Sequence, residues 1–167
     1  MFAQLSSRRD RTFIRLVSGL SLPLAALLAT APAQAANVTF TGTITGSCTL
    51  TISTPGTLRL GTSGSQLSSE EAGALPATMA VIAVGGQPTV SFTAPSLTTS
   101  PSGYNHSPVL EMKYTSLGGA NQVYTSNASN YTASLLLDTV VVNARATDTQ
   151  GFAAGTYTIT TVATCQQ

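Results

Sequence analysis

Side chains able to do chemistry are few in this chain of 167 residues, so each can be weighed singly. There are two cysteines and one histidine. Cys48 and Cys165 lie far apart and, with a lone His, make no recognisable zinc spacing. In an oxidising compartment two cysteines most often pair with each other; two free or intermolecular thiols are the alternative. A Cys48–Cys165 bond would close nearly the whole domain, and in the chain-entropy account such a loop is worth roughly 4–5 kcal/mol. His106 sits in a Pro/Ser/Gly stretch with no acid close in sequence. A catalytic base needs an orienting partner and a nucleophile, so His106 reads as an exposed loop residue. Glu70 and Glu71 are adjacent on a polar stretch and read as solvated. Serine is abundant, but no G-x-S-x-G marks one as special. No phosphate loop, dinucleotide fingerprint or calcium loop occurs. The five tyrosines are scattered, and three N-x-S/T sequons at Asn37, Asn127 and Asn130 fit chance in a Thr-rich chain. The expectation is a protein that is not an enzyme, with no catalytic residues, no metal and no cofactor.

Charge agrees with that reading. Only 8% of residues are charged, and the formal net charge is +1. Four of the seven basic residues, Arg8, Arg9, Arg11 and Arg15, fall in the first fifteen positions. Residues 16–30 are an apolar run, short against the roughly 20 residues of a bilayer span. Ala33 and Ala35 then occupy small-x-small positions. This pattern predicts a cleaved export signal over residues 1–35. The remainder, 36–167, carries three basic and five acidic residues, a net −2. Without a basic patch, nucleic acid is not an expected partner. The expected location is outside the cytoplasm: the periplasm in transit, then the cell surface or medium.

The elements that must position these residues are strands. From Val38 to Ser53, every even position is apolar, Gly or Cys, and every odd one is Thr or Ser. Strict period-2 alternation marks strand with one buried and one wet face. Sixteen residues in one strand would reach about 53 Å, far beyond the usual length, so two strands, or a change of partner near Gly46, are expected. Further strand signals lie at Thr57–Leu60, Met79–Val84, Thr89–Thr93, Val109–Thr115, Val123–Thr125, within Ala133–Ala146, and over Thr156–Cys165. Gly85-Gly86 reads as a hairpin-type turn, Gly118-Gly119 as another turn, Ser68–Glu71 as a possible helical turn, and Pro95–Pro108 as a loop. Seven or more short strands between Gly/Pro/Ser/Asn turns predict a single antiparallel, immunoglobulin-like β-sandwich over 36–167.

The stretch VTFTGTITGSC at 38–48 resembles the mature N-terminus of chaperone–usher pilins. The matching positions are Val38, Phe40, Gly42, Ile44 and Cys48. GTLRLG at Gly56–Gly61 is similar to a strand of the spore coat protein U-like group of archaic pilins, and GTYTITTVATC looks like the closing strand of such domains. The resemblance implies a pilin-like sandwich that lacks its last strand. The groove is then filled by the N-terminal extension of another subunit, here 36–46, with Val38, Phe40, Gly42 and Ile44 as the donor strand. That is β-augmentation: backbone hydrogen bonds pair, and alternate side chains fill pockets. The implied partners are other copies or related pilins, a periplasmic chaperone and an outer-membrane usher. Where pilins of the common types carry their second cysteine, this chain has Phe92. A Cys48–Cys165 bond would instead join the strands expected to flank the groove. The sequence therefore keeps two outcomes open: a fibre subunit, or a self-complete, disulfide-closed module with an adhesive or ligand-binding role.

Overall fold

The computed structural model describes residues 39–167. The expected export signal over 1–35 and Val38 lie outside the described residues. The compact unit is Thr41–Gln167. Among the described residues every regular element is a strand, and every ladder is antiparallel.

The first sheet is built around its longest strand, which is numbered here in chain order as β10 (Leu137–Thr147), with β1 (Ser47–Thr54), β2 (Arg59–Leu60), β3 (Gln66–Ser68), β4 (Ala77–Val84), β7 (Val109–Ser116) and β8 (Asn121–Thr125). One edge of β10 is shared. β4 takes Leu137–Val142, and β3 takes Arg145–Thr147. Buried Ser69 bridges the change of partner: its N–H donates to the Ala144 carbonyl (3.0 Å), and its hydroxyl accepts from the Ala144 N–H (3.1 Å) and donates to Asn143 Oδ1 (2.9 Å). On the other edge of β10 lies β7, then β8. β1 ends the sheet beyond β4.

The second sheet holds β5 (Thr89–Phe92) between β9 (Ser129–Thr132) and β12 (Ala163–Gln166). After an irregularity at Thr93–Pro95, the β5–β12 ladder is continued by β6 (Ser96–Thr99) paired with β11 (Thr158–Thr160). Proline has no N–H to offer a ladder. Side chains bridge the gap: the Thr93 hydroxyl accepts from the Val162 N–H at 2.9 Å, and the Thr161 hydroxyl donates to the Thr93 carbonyl at 2.7 Å.

The inner faces meet in one core. Met79, Val81, Met112, Tyr114 and Val140 of the first sheet pack against Val90 and Phe92 of the second. The Phe92 and Tyr114 rings lie 4.6 Å apart. Each of these residues follows its strand's alternation, which is why the β-sandwich was readable from sequence.

Four local expectations are corrected. Gly85-Gly86 is not a hairpin: β4 and β5 belong to different sheets, and the turn carries the chain across. Ser68–Glu71 is not helical, because Ser68 ends a strand paired with β10 and Ser69 bonds to Ala144. Pro95–Pro108 contains a strand, β6, whose partner lies some sixty residues on. In the 38–53 stretch, strand begins only at Ser47; Thr39–Gly46 takes no ladder. The alternation of Thr156–Cys165 does hold through two short strands, with Tyr157, Ile159, Thr161, Ala163 and Cys165 half-buried.

Candidate functional site

Among the described residues, β1 and β12 are the ends of their sheets, each with a ladder on one side only. Cys48 of β1 and Cys165 of β12 are joined by a disulfide, with Cα atoms 5.9 Å apart. No ladder links the two strands. At this end Gln167 closes the gap, its side-chain amide donating to the Gly86 carbonyl at 2.8 Å. Away from the disulfide the sheets part. A groove of about 660 Å³ opens between β1 and the β11–β12 segment, lined by Leu50, Ile52, Val142, Ile159 and Ala163, with Met79 and Phe92 below. A smaller recess of about 140 Å³ shares Ala77, Val142 and Ile159 with it and reaches Met112. The lining is apolar, yet Leu50, Val142 and Ile159 are only half-buried, and Ile52 and Val162 are 62% and 54% exposed. These side chains point where core should be, and the core does not cover them.

The residues singled out as a donor strand are placed as follows. Val38 lies outside the described residues. Phe40 and Ile44 are exposed, at 92% and 77%. Gly42 has open space where a Cβ would stand. Thr41–Gly46 forms no strand and is exposed throughout. The two cysteines are brought together. The groove-lining residues of β4, β10 and β11 carry only strand signals in the sequence, at Met79–Val84, within Ala133–Ala146 and over Thr156–Cys165, and nothing that marks a groove.

A second constellation was missed because its members are distant in sequence. His106 is not an exposed loop residue: its side chain is 30% exposed, and Nδ1 donates to Asp148 Oδ2 at 2.8 Å. The Tyr104 hydroxyl donates to the same oxygen at 2.7 Å, and the Gln150 N–H to Oδ1 at 2.9 Å. Tyr104 above all, then Gln150 and His106, hold the Asp148 carboxyl below its usual range although the group is largely withdrawn from water. In turn, burial and Asp148 push the Tyr104 phenol well up. The Phe152 ring stacks near Tyr104 at 5.9 Å, and Tyr157 meets both edge-on.

Glu70 is likewise not merely solvated. It pairs with Lys113 at 2.6 Å and accepts from the Tyr124 hydroxyl at 2.7 Å, and these contacts lower its pKa. Arg145 lies over the Tyr124 ring, 3.9 Å from its centre, and its Nε bonds to Glu111 at 2.7 Å. Burial first, then Glu70, pushes the Tyr124 phenol up to about 12. This polar lattice ties β7, β8 and β10 to the Glu70 turn.

No protein-family model matches the chain, and no curated protein is significantly similar to it. The geometry of the groove and of the loop cluster therefore carries the functional argument.

Proposed function

We propose that this protein is a structural subunit of a pilus-like surface fibre, assembled by donor-strand complementation on an immunoglobulin-like sandwich, and not an enzyme. One observation carries the reading: among the described residues β1 and β12 each pair on one side only and flank an apolar groove, while the apolar-alternating residues that precede β1 in sequence take no ladder. The occupant is Val38–Ile44 of a second copy. Extended, those seven residues run roughly 23 Å, matching the seven residues of the β1 edge from Cys48 to Thr54. Phe40 and Ile44 fill the groove on one face, and Gly42 between them lets the backbone come close. Until it is paired, such an edge is an aggregation hazard. Export with a periplasmic chaperone that lends a strand, and delivery through an outer-membrane usher, meet that need. The disulfide fits export, since such bonds persist outside the reducing cytoplasm.

The test compares the mature protein, expressed in a bacterial periplasm, with a version lacking residues 36–45. Both are run on unheated gels and by size-exclusion chromatography. A heat-sensitive ladder that vanishes on truncation is the expected result. A second reading, a self-complete adhesive module, is favoured by the Cys48–Cys165 bond, which already joins the strands flanking the groove. It predicts a folded monomer that needs no chaperone and is indifferent to the truncation, and that outcome would sink the fibre proposal.

A further inference from the structure

The loop cluster around Asp148 forms a cleft separate from the groove, and nothing in strand pairing accounts for it. Its volume is about 440 Å³, within the roughly 300–1,000 Å³ range of small-molecule clefts. Its walls include Leu60, Tyr104, His106, Gln150 and Phe152, and no charged side chain lines it. With His106 neutral, this lining suits an uncharged ligand.

Polarity in the cleft is fixed from behind. The Asp148 carboxylate can only accept, so His106 Nδ1 carries the proton it donates. In the neutral ring, Nε2 is then a lone-pair acceptor of set orientation. It accepts from a donor on the ligand, and a ligand hydroxyl can supply one. Gln150, exposed at the rim, offers both an amide donor and an acceptor. The Tyr104 and Phe152 rings, near parallel at 11°, and Leu60, 49% exposed, add apolar surface. Gly151, at φ +84°, takes the left-handed turn that carries Phe152 beside Tyr104. The cleft thus combines hydroxyl-matching polar groups with ring surface suited to C–H faces. Hydroxyls at the rim of a ring with an apolar face describe a pyranose.

We infer that this cleft is a saccharide-binding site, with Tyr104 and Phe152 as the stacking surface, His106 and Gln150 as hydroxyl partners, and Asp148 and Tyr157 as positioning residues. The inference does not depend on the fibre reading. A chain that ends as a monomer would still carry the cleft.

The experiment is a protein-observed NMR titration of the mature, disulfide-bonded protein with methyl hexopyranosides of the gluco, galacto and manno series up to high millimolar concentration. The expected result is shifts confined to the amides of Gly103–His106 and Gln150–Ala153 for at least one sugar. Gln150→Ala, at an exposed position, should weaken that binding about five- to tenfold, the size of one lost hydrogen bond, with the melting temperature unchanged. His106→Ala should weaken it at least as much. Absence of shifts with every sugar, or shifts that Gln150→Ala leaves untouched, would overturn the assignment. In either case the cluster would only pin the two loops, and His106→Ala would then lower the melting temperature alone.

Discussion

Two buried carboxylates show what a single side chain contributes here. Asp138, 1% exposed, accepts from the Gly118 N–H at 2.7 Å and from the Tyr131 hydroxyl at 3.1 Å. Burial first, then Asp138, raises the Tyr131 pKa. Asp138→Ala strands two donors, and we expect a loss of about 2–4 kcal/mol by urea denaturation. A Cβ on Gly118 would stand 2.6 Å from Asp138 Oδ2, so Gly118→Ala should also be costly. Tyr114 is the opposite case. Its hydroxyl is buried without a protein partner, so Tyr114→Phe should change stability by less than about 1 kcal/mol. Asp148 has a lowered pKa in the fold. Its stabilising effect is therefore complete above the ordinary carboxyl value and is lost as pH falls through the lowered one. Below about pH 4 the ring signals of Tyr104 and Phe152 should lose their dispersion before the core melts, which NMR can follow.

At the level of elements, the fold depends on long-range sharing. β10 serves β4, β3 and β7, and the Glu70–Lys113 and Arg145–Glu111 pairs cross its neighbours' outer face. Residues 39–46 are different, because they take no part in the ladders among the described residues. Phe40→Ala and Ile44→Ala should leave the melting temperature of the monomer within error while weakening any multimer ladder, as a strand used by another copy requires. Ile52→Lys, at a 62% exposed groove position, should block strand docking with the fold retained, shown by a native circular dichroism spectrum beside a lost ladder. β5 and β7 were legible because each shows period 2 within itself, and β4 because it is a short apolar run. β6 was hidden in a Ser/Thr/Pro stretch, because its partner is β11 and the Thr/Ser pattern there carries little apolar contrast.

For the whole molecule, the disulfide spans 117 residues and clamps one end of the sandwich. Reduction should lower stability by about 4–5 kcal/mol, read as a fall in the denaturant midpoint. It should also loosen the closed end of the groove. Donor-strand pairing would restore stability in a concentration-dependent way, since a partner that binds only the folded state shifts the melting temperature by mass action.

Composition and alternation alone determined that the chain is an all-β sandwich with an apolar face on each main strand. Side-chain period is a local property, so it survives in the sequence. Other features belong to the tertiary structure only: which strand crosses between sheets at Gly85-Gly86, that Cys48 reaches Cys165, that His106 and Tyr104 converge on Asp148, and that, among the described residues, β1 and β12 each pair on one side only. Each depends on residues some forty or more positions apart being brought within a few ångströms. No local pattern encodes that proximity; it is set by which inner faces must meet to bury Phe92, Met112 and Tyr114 together.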